Sequence, residues 1–225
     1  ALCLPLGSGA AIEVARQHTT RAAFPTHEYL TFRTQVDYEP TPGSAAEEQA
    51  ESYRAHVVST YEALKRRLGT EPAITAGTFG SATPGMHYPL RQVEAQRSNA
   101  APFLVDANVE DDRVRTAQVD IGYFDAFRLP IIAGRGFHSS DTEAKSVAII
   151  NETLARNIGG NALGVHIRYA ANAANPEASP WYEVVGIVRD AGVDVTGRGQ
   201  EDFVFLPVTA AEVSPLIVAV HTRGE

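Results

Sequence analysis

The clearest pattern in the chain is a stripe of apolar residues spaced three and four positions apart within residues 44–69. Its members are Tyr53, Val57, Tyr61, Leu64 and Leu68. This spacing predicts an amphipathic helix, and we expect Ser44 and Glu47 to cap its start and Gly69 to end it. The basic run 65–67 complements the dipole of the last turn, which favours a structural role for these charges over ligand binding.

Strands are predicted on both sides of this helix and through the second half of the chain. Residues 29–36 alternate between apolar and polar and predict a strand with one buried face, and residues 73–79 predict a returning strand. Several polar, edge-like strands are expected between 90 and 120. The remaining predicted strands are 146–150, 165–170, 181–190, 202–207 and 215–221. The last contains LIVAV, an unbroken apolar run typical of a strand covered on both faces.

Shorter helical segments complete the pattern. They are predicted at 10–23, at 121–127 and at 152–158. Asn151 is the expected cap of the third, and Gly159-Gly160 is expected to close it. The chain therefore combines helices with strands of several kinds, which indicates an α+β fold.

Length and charge narrow the classes of protein that the sequence can represent. Its 225 residues suffice for one large domain or two small ones. The formal net charge is -8 and basic residues cluster only at 65–67, which argues against nucleic-acid binding. Cys3 is the only cysteine, so the sequence holds no internal disulfide, thiolate metal cluster or redox pair. The apolar opening 1–10 is too short to span a bilayer; it is either the outer end of a membrane helix or a terminal tail.

The segment LPIIAGRGFHSSD, residues 129–141, is the strongest candidate for a ligand site. A short buried run leads into Gly134-Arg135-Gly136, as at the start of many nucleotide sites. Ser139 stands where a dinucleotide fingerprint needs its third glycine, no helix is expected after the loop, and no lysine follows a glycine as in a P-loop. A tight turn with a glycine at positive φ explains the segment better than a phosphate site.

Motifs for other chemistry are missing from the sequence. It contains neither Gly-x-Ser-x-Gly nor Ser-x-x-Lys, and Asp111-Asp112 is most simply a solvated turn. Its histidines lie at least nine residues apart, so none pairs at helical metal-ligand spacing. They are His18, His27, His56, His87, His138, His166 and His221. We therefore predict no catalytic, cofactor-binding or metal-binding residue and no cofactor.

The order of several short motifs resembles one known family. They are Tyr123-Phe124, Gly134-Arg135 with Phe137 and Asp141, Ala148–Glu152, Asn161–Gly164 and Val184–Val188. Together they resemble the MacB-like periplasmic core domain of FtsX-like ABC-transporter permeases, most strongly over residues 119–207. The resemblance makes Gly134-Arg135-Gly136 a turn inside the domain.

That resemblance implies a two-lobed domain. A strand–helix–strand lobe is expected from residues 26–82 and 208–225, with a mixed α/β lobe, 86–207, inserted in it. Residues 1–25 would be a membrane-proximal helix or tail. Family members continue with another helix and strand, so the first lobe is expected to be incomplete here. The crossings near Ala82–Tyr88 and Pro207–Ser214 are expected to pack few residues and to act as hinges.

The resemblance also implies a function without catalysis. We expect the periplasmic, extracytoplasmic domain of a bacterial cytoplasmic-membrane permease, which passes ATP-driven conformational change to a periplasmic client. The implied partners are a second permease copy, a cytoplasmic ATPase and a periplasmic adaptor or cargo, and the isolated domain is expected to be monomeric. One alternative is a free-standing periplasmic domain with a ligand between the lobes. Another is a hydrolase whose residues meet only in three dimensions.

Overall fold

The computed structural model describes residues 12–15, 28–34, 36, 45–98, 100–106, 113–173, 175–191, 201–213 and 215–222. For residues 12–15 only the backbone is described. The strands are β1 Ile12–Ala15, β2 Tyr29–Thr34, β3 Ile74–Gly80, β4 Leu90–Arg91, β5 Val93–Gln96, β6 Phe103–Leu104, β7 Val114–Val119, β8 Ile131–Gly134, β9 Val147–Asn151, β10 His166–Tyr169, β11 Tyr182–Val188, β12 Phe203–Pro207 and β13 Leu216–Thr222. The α-helices are α1 Ala46–Thr70, α2 Tyr123–Ala126, α3 Ser139–Ala144 and α4 Glu152–Asn157, and Ala210–Glu212 form a 3-10 turn.

These strands form one mixed sheet. Its order is β1-β2-β13-β3-β7-β12-β9-β11-β10-β5-β6, with β4 also paired to β7 and β8 to β11. The pairs β7–β12 and β9–β11 are parallel, and the other pairs are antiparallel. Helices and a large mixed sheet together confirm the predicted α+β class.

Strand β13 occupies the place that the sequence predicts for it. It lies between β2 and β3, antiparallel to both, and its residues from Leu216 to His221 are buried. Beyond β3 the sheet continues into β7 through the pair Gly80–Val119. The strands of both predicted lobes thus share one hydrogen-bonded sheet, and the division into two lobes stays a prediction.

The two chain crossings between the predicted lobes are well packed. Ala82 and Tyr88 are buried in the first crossing, and Val208 and Ala210 are buried in the second. The Tyr88 hydroxyl also lies 3.4 Å from that of Tyr123. The expectation that few residues pack there is wrong, because both crossings carry apolar side chains that complete the core under the sheet.

Helix α1 follows the predicted stripe closely. Val57 and Tyr61 are buried, and Leu64 and Leu68 pack beside them against the core formed with β3 and β13. Its ends differ from the prediction. Ala45 takes the N-cap position without a side-chain hydrogen bond, Ser44 lies outside the described residues, and the helix continues past Gly69 to Thr70.

No helix in the described ranges combines the length and hydropathy needed to cross a membrane.

The first strand replaces part of a predicted helix. Residues 12–15 of the helix expected at 10–23 form β1, which pairs with β2 from Ile12–Thr34 to Ala15–Thr31. The segment IEVA carries β-branched residues in alternation, and the edge of β2 supplies hydrogen-bond partners that a short amphipathic pattern does not reveal. The rest of 10–23 lies outside the described residues.

Strand β7 is central although its sequence predicts a polar edge strand. It lies between β3 and β12, and all its residues except Gln118 are buried. The charge of Arg115 is tolerated there because the carboxylate of Glu201, from a distant segment, pairs with it.

Candidate functional site

The glycine loop after β8 is a turn fixed by one of its two glycines. Gly134 has a φ of 71°, and a Cβ added there would lie 2.2 Å from the Val185 carbonyl oxygen of the paired strand β11. Gly136 has no heavy atom within 4 Å of an added Cβ. The predicted positive-φ turn is therefore confirmed at Gly134 only.

A short helix follows the loop, contrary to expectation. Helix α3 begins at Ser139, and Asp141 accepts a hydrogen bond from the His138 backbone N–H at 2.7 Å. The Arg135 guanidinium binds the same carboxylate through both oxygens, at 2.7 and 3.1 Å. This Arg135 hydrogen bond, together with that of the His138 amide, holds the pKa of Asp141 below its usual value. The cation and amide that a phosphate would use are thus engaged by Asp141.

We expect millimolar ATP, NAD or magnesium to leave the melting temperature of the domain unchanged. A ligand that binds only the folded state adds about 2.7 kcal/mol of stability at a hundred times its dissociation constant, which a thermal melt resolves easily. A saturable rise that disappears on Gly136→Val, with the fold intact, would place a nucleotide site at this loop after all.

Asn151 joins three segments at the end of β9. Its side-chain oxygen accepts hydrogen bonds from the backbone N–H of Leu154, at 3.2 Å, and of Phe203, at 2.9 Å. Its amide donates to Asp190 at 2.6 Å and to the carbonyl of Glu201 at 2.7 Å. The predicted N-cap is confirmed, and all four hydrogen-bonding positions of this side chain serve the scaffold.

A buried ion pair lies beside this network and was not predicted. Arg115 in β7 donates through Nε and Nη2 to the two oxygens of Glu201, the second at 2.7 Å. The two side chains are only 6% and 5% exposed, and Nη1 of Arg115 has no hydrogen-bond partner. The partners are 86 residues apart, so no local pattern could have identified them.

A cleft rich in aromatic residues lies next to Glu201 but is nearly filled. It is lined by Pro84, Met86, Tyr88, Tyr123, Leu129, Asn151, Val188, Arg189, Ala191, Glu201, Phe203 and Phe205. Its volume is about 30 Å³, enough for one or two water molecules. Stacked and edge-on ring contacts, such as Tyr88 with Phe203 at 4.9 Å, make this region part of the core.

One arrangement resembles the hydroxyl–histidine–carboxylate set of a hydrolase. His221 contacts the Thr75 hydroxyl through Nδ1 and Glu28 through Nε2, the latter at 2.8 Å. Thr75 Oγ1 also lies 3.2 Å from the His221 carbonyl oxygen. Glu28, Thr75 and His221 line neither the aromatic cleft nor the larger groove described next. The arrangement ties β13 to β3 and to the residue before β2, and His221 itself is buried.

A larger groove runs between α1 and the end of β7. We call it the α1 groove, and it is lined by Val58, Tyr61, Glu62, Lys65, Phe79, Asp120, Ile121, Ser139, Thr142, Val208, Thr209 and Ala210. Its volume is about 200 Å³. It is the best candidate for a binding site in the described structure because it combines space, apolar walls and charged groups.

Asp120 forms the charged floor of the α1 groove. Its side chain is 8% exposed, and its Oδ2 lies 3.9 Å from Nζ of Lys65. Burial raises the pKa of Asp120, while Lys65 and the backbone N–H groups of Ile121 and Gly122 oppose that rise. Burial also raises the pKa of Tyr61 far above its usual value, with the charge of Asp120 adding to the effect.

Comparison with known families decides what kind of domain carries these features. The MacB-like periplasmic core domain matches residues 44–223. The chain belongs to this family.

Three solved structures resemble this MacB-like periplasmic core domain at low identity. A domain of a protein described as a permease from Porphyromonas gingivalis is 18% identical, with a TM-score of 0.46 over 70% of this chain and 66% of its own. The periplasmic region of MacB from Actinobacillus actinomycetemcomitans is 15% identical, with a TM-score of 0.43 over 73% and 65%. The extracellular domain of the noncanonic ABC-type transporter YknZ from Gram-positive bacteria is 14% identical, with a TM-score of 0.41 over 83% and 81%. No curated protein matches the chain.

The chain thus spans slightly less than two thirds of the first two of these structures.

Within this MacB-like periplasmic core domain, the motifs that carry the resemblance have structural roles. Gly134 fixes a turn, Asp141 joins that turn to α3, and Asn151 caps α4. In the described ranges, His, Cys, Asp and Glu side chains do not gather in groups of three or more that could hold a metal ion.

Proposed function

We propose that this chain is the extracytoplasmic part of a bacterial ABC-transporter permease and that it passes ATP-driven conformational change to a periplasmic client without catalysis of its own. The observation that carries the proposal is the family match over residues 44–223. The partners in the whole transporter are a second permease copy, a cytoplasmic ATPase and an adaptor or cargo. The net charge of -8 supports a monomeric state for the isolated domain through mutual repulsion.

The packing supports transmission by a domain that moves as one body. One sheet links β2 to β10, with β3 and β7 joined through the pair Gly80–Val119, and both crossings that were expected to be hinges carry buried residues. Interiors packed in this way transmit displacement instead of absorbing it. We therefore assign the moving coordinate to the relative position of two copies in the transporter.

Distance measurements in the whole transporter test this proposal. The permease and its ATPase would be reconstituted in lipid nanodiscs with Cys3→Ser and spin-labelled Glu143→Cys, which lies on an exposed face of α3. We expect the distance between the labels of two copies to change when ATP binds. It should return when ATP is hydrolysed, because a domain that couples to the ATPase must differ between the two states.

A pair of labels within one copy is the matched control. Arg54→Cys in α1 and Glu143→Cys in α3 report on the arrangement inside the domain, and their distance should stay constant through the cycle. Constant distances between copies would contradict the transmission role. A change in the distance between the two labels of one copy would instead support hinge motion within the domain.

A further inference from the structure

The α1 groove has a carboxylate at its floor that its surroundings compensate only in part. Asp120 is buried, and the closest side-chain cation is Lys65, at 3.9 Å. That separation is too long for a direct hydrogen bond, and the Lys65 side chain is 47% exposed. An ion pair with this geometry contributes little, so Lys65 can be displaced at small cost.

The charges around the groove favour a cation. Glu62 and Asp120 contribute two carboxylates to the lining, and Lys65 contributes one ammonium. Burial raises the pKa of Tyr61, and the charges of Asp120 and Glu62 add to that rise, so its hydroxyl is neutral and contributes no charge. The lining therefore has an excess of one negative charge near neutral pH.

The walls of the groove are apolar. Tyr61 and Phe79 pack edge to face, with ring centroids 4.3 Å apart, and Val208 is buried beside them. Val58 and Ile121, also among the lining residues, stay 41% and 37% exposed. Exposed apolar residues around a buried polar group are the usual composition of a small-molecule site.

We propose that the α1 groove binds a small organic cation, a primary ammonium group on a short apolar chain. The ammonium would replace Nζ of Lys65 near Oδ2 of Asp120, and the chain would lie against Val58 and Ile121. An ammonium fits better than a guanidinium, because a guanidinium binds both carboxylate oxygens side by side. The backbone N–H groups of Ile121 and Gly122 already use part of that carboxylate.

This inference does not depend on the proposed permease role. It concerns the isolated chain, and its test uses neither membrane, ATPase nor client. A failure here would leave the transmission proposal intact, and a failure of the label experiment would leave this groove as described.

Titration of the isolated domain with three matched six-carbon probes and with methylammonium tests the inference. n-Hexylammonium carries the charge and the chain, 1-hexanol the chain alone, hexanoate the opposite charge, and methylammonium the charge with almost no chain. Binding is followed by the backbone amide signals of Ile121 and Gly122 in nitrogen–proton NMR spectra at pH 7 and constant ionic strength. We expect saturable shifts with hexylammonium and an affinity at least about tenfold above that of each other probe.

Three variants separate a binding role from a structural one. Asp120→Asn keeps the shape of the floor and should weaken hexylammonium binding at least about tenfold. Asp125→Asn makes the same change at an exposed position on α2 and should leave binding unchanged. Lys65→Gln removes the competing ammonium and should strengthen binding.

The opposite responses of Asp120→Asn and Lys65→Gln are the decisive outcome. If the two residues only stabilise each other, both variants should change binding in the same direction or leave it alone, and the proposal fails. Equal affinity for 1-hexanol and hexylammonium would also overturn it. If Asp120→Asn does not fold, a weaker affinity in Lys65→Gln is sufficient to reject the site.

Discussion

Replacing Glu201 with glutamine is expected to lower the free energy of unfolding by about 3–5 kcal/mol. The substitution leaves the buried Arg115 guanidinium without its carboxylate, and Nη1 of Arg115 already lacks a hydrogen-bond partner. Since domains of this kind are stable by only about 5–15 kcal/mol, the loss should be plain in urea denaturation curves measured by circular dichroism.

Two controls show whether burial of the charge is the cause. Arg115→Met combined with Glu201→Leu removes both charges and should cost much less than the single substitution, because no unpaired charge remains in the core. Glu94→Gln breaks the partly exposed pair with Arg168 and should cost no more than about 1 kcal/mol. Equal losses for the single and double variants of the buried pair would show that packing, and not charge, dominates.

The substitution Gly134→Ala is expected to cost about 3 kcal/mol or more. Its φ of 71° belongs to the left-handed region, and its new Cβ would lie 2.2 Å from a carbonyl oxygen of β11. Neither the backbone of β8 nor that of β11 can move away without losing the hydrogen bonds between them. Thermal and urea unfolding of the purified domain measure the effect.

Gly136→Ala is the matched control for this glycine. It lies two residues away in the same loop, and an added Cβ meets no atom within 4 Å. Its effect should stay within about 0.5 kcal/mol. Similar losses at the two positions would mean that the loop requires flexibility as a whole and that the close approach at Gly134 is irrelevant.

Elements with a strong local period could be predicted from the sequence. The stripe of α1 has the period of a helix with one buried face, and LIVAV in β13 reads as a strand buried on both faces. Asn151 could be assigned as a helix cap because the hydrogen bond to Leu154 N–H is local. In each case the residues that determine the structure are close together in the sequence.

Features that depend on distant partners could not be predicted. The sequence VRTAQV in β7 suggests an edge, yet Arg115 is buried because Glu201 reaches it from 86 residues away. Asp120 reads as the end of a polar strand, and only the approach of α1 and α3 makes it the floor of a groove. The candidate site could not be predicted, because its lining comes from segments that are far apart in the sequence.

Strand β1 determines how tension along the chain would load the sheet. Without it, the chain would enter β2 at Tyr29 and leave β13 at Thr222, and these two residues lie at the same end of one antiparallel pair. Opposed forces on them would separate the two strands one hydrogen bond at a time. With β1 added, the chain enters at Ile12, opposite Thr34 at the other end of the pair. Opposed forces on Ile12 and Thr222 then run along the strands in shear, where the hydrogen bonds of the ladder share the load. A four-residue edge strand would thus make the sheet resist opposed forces on Ile12 and Thr222.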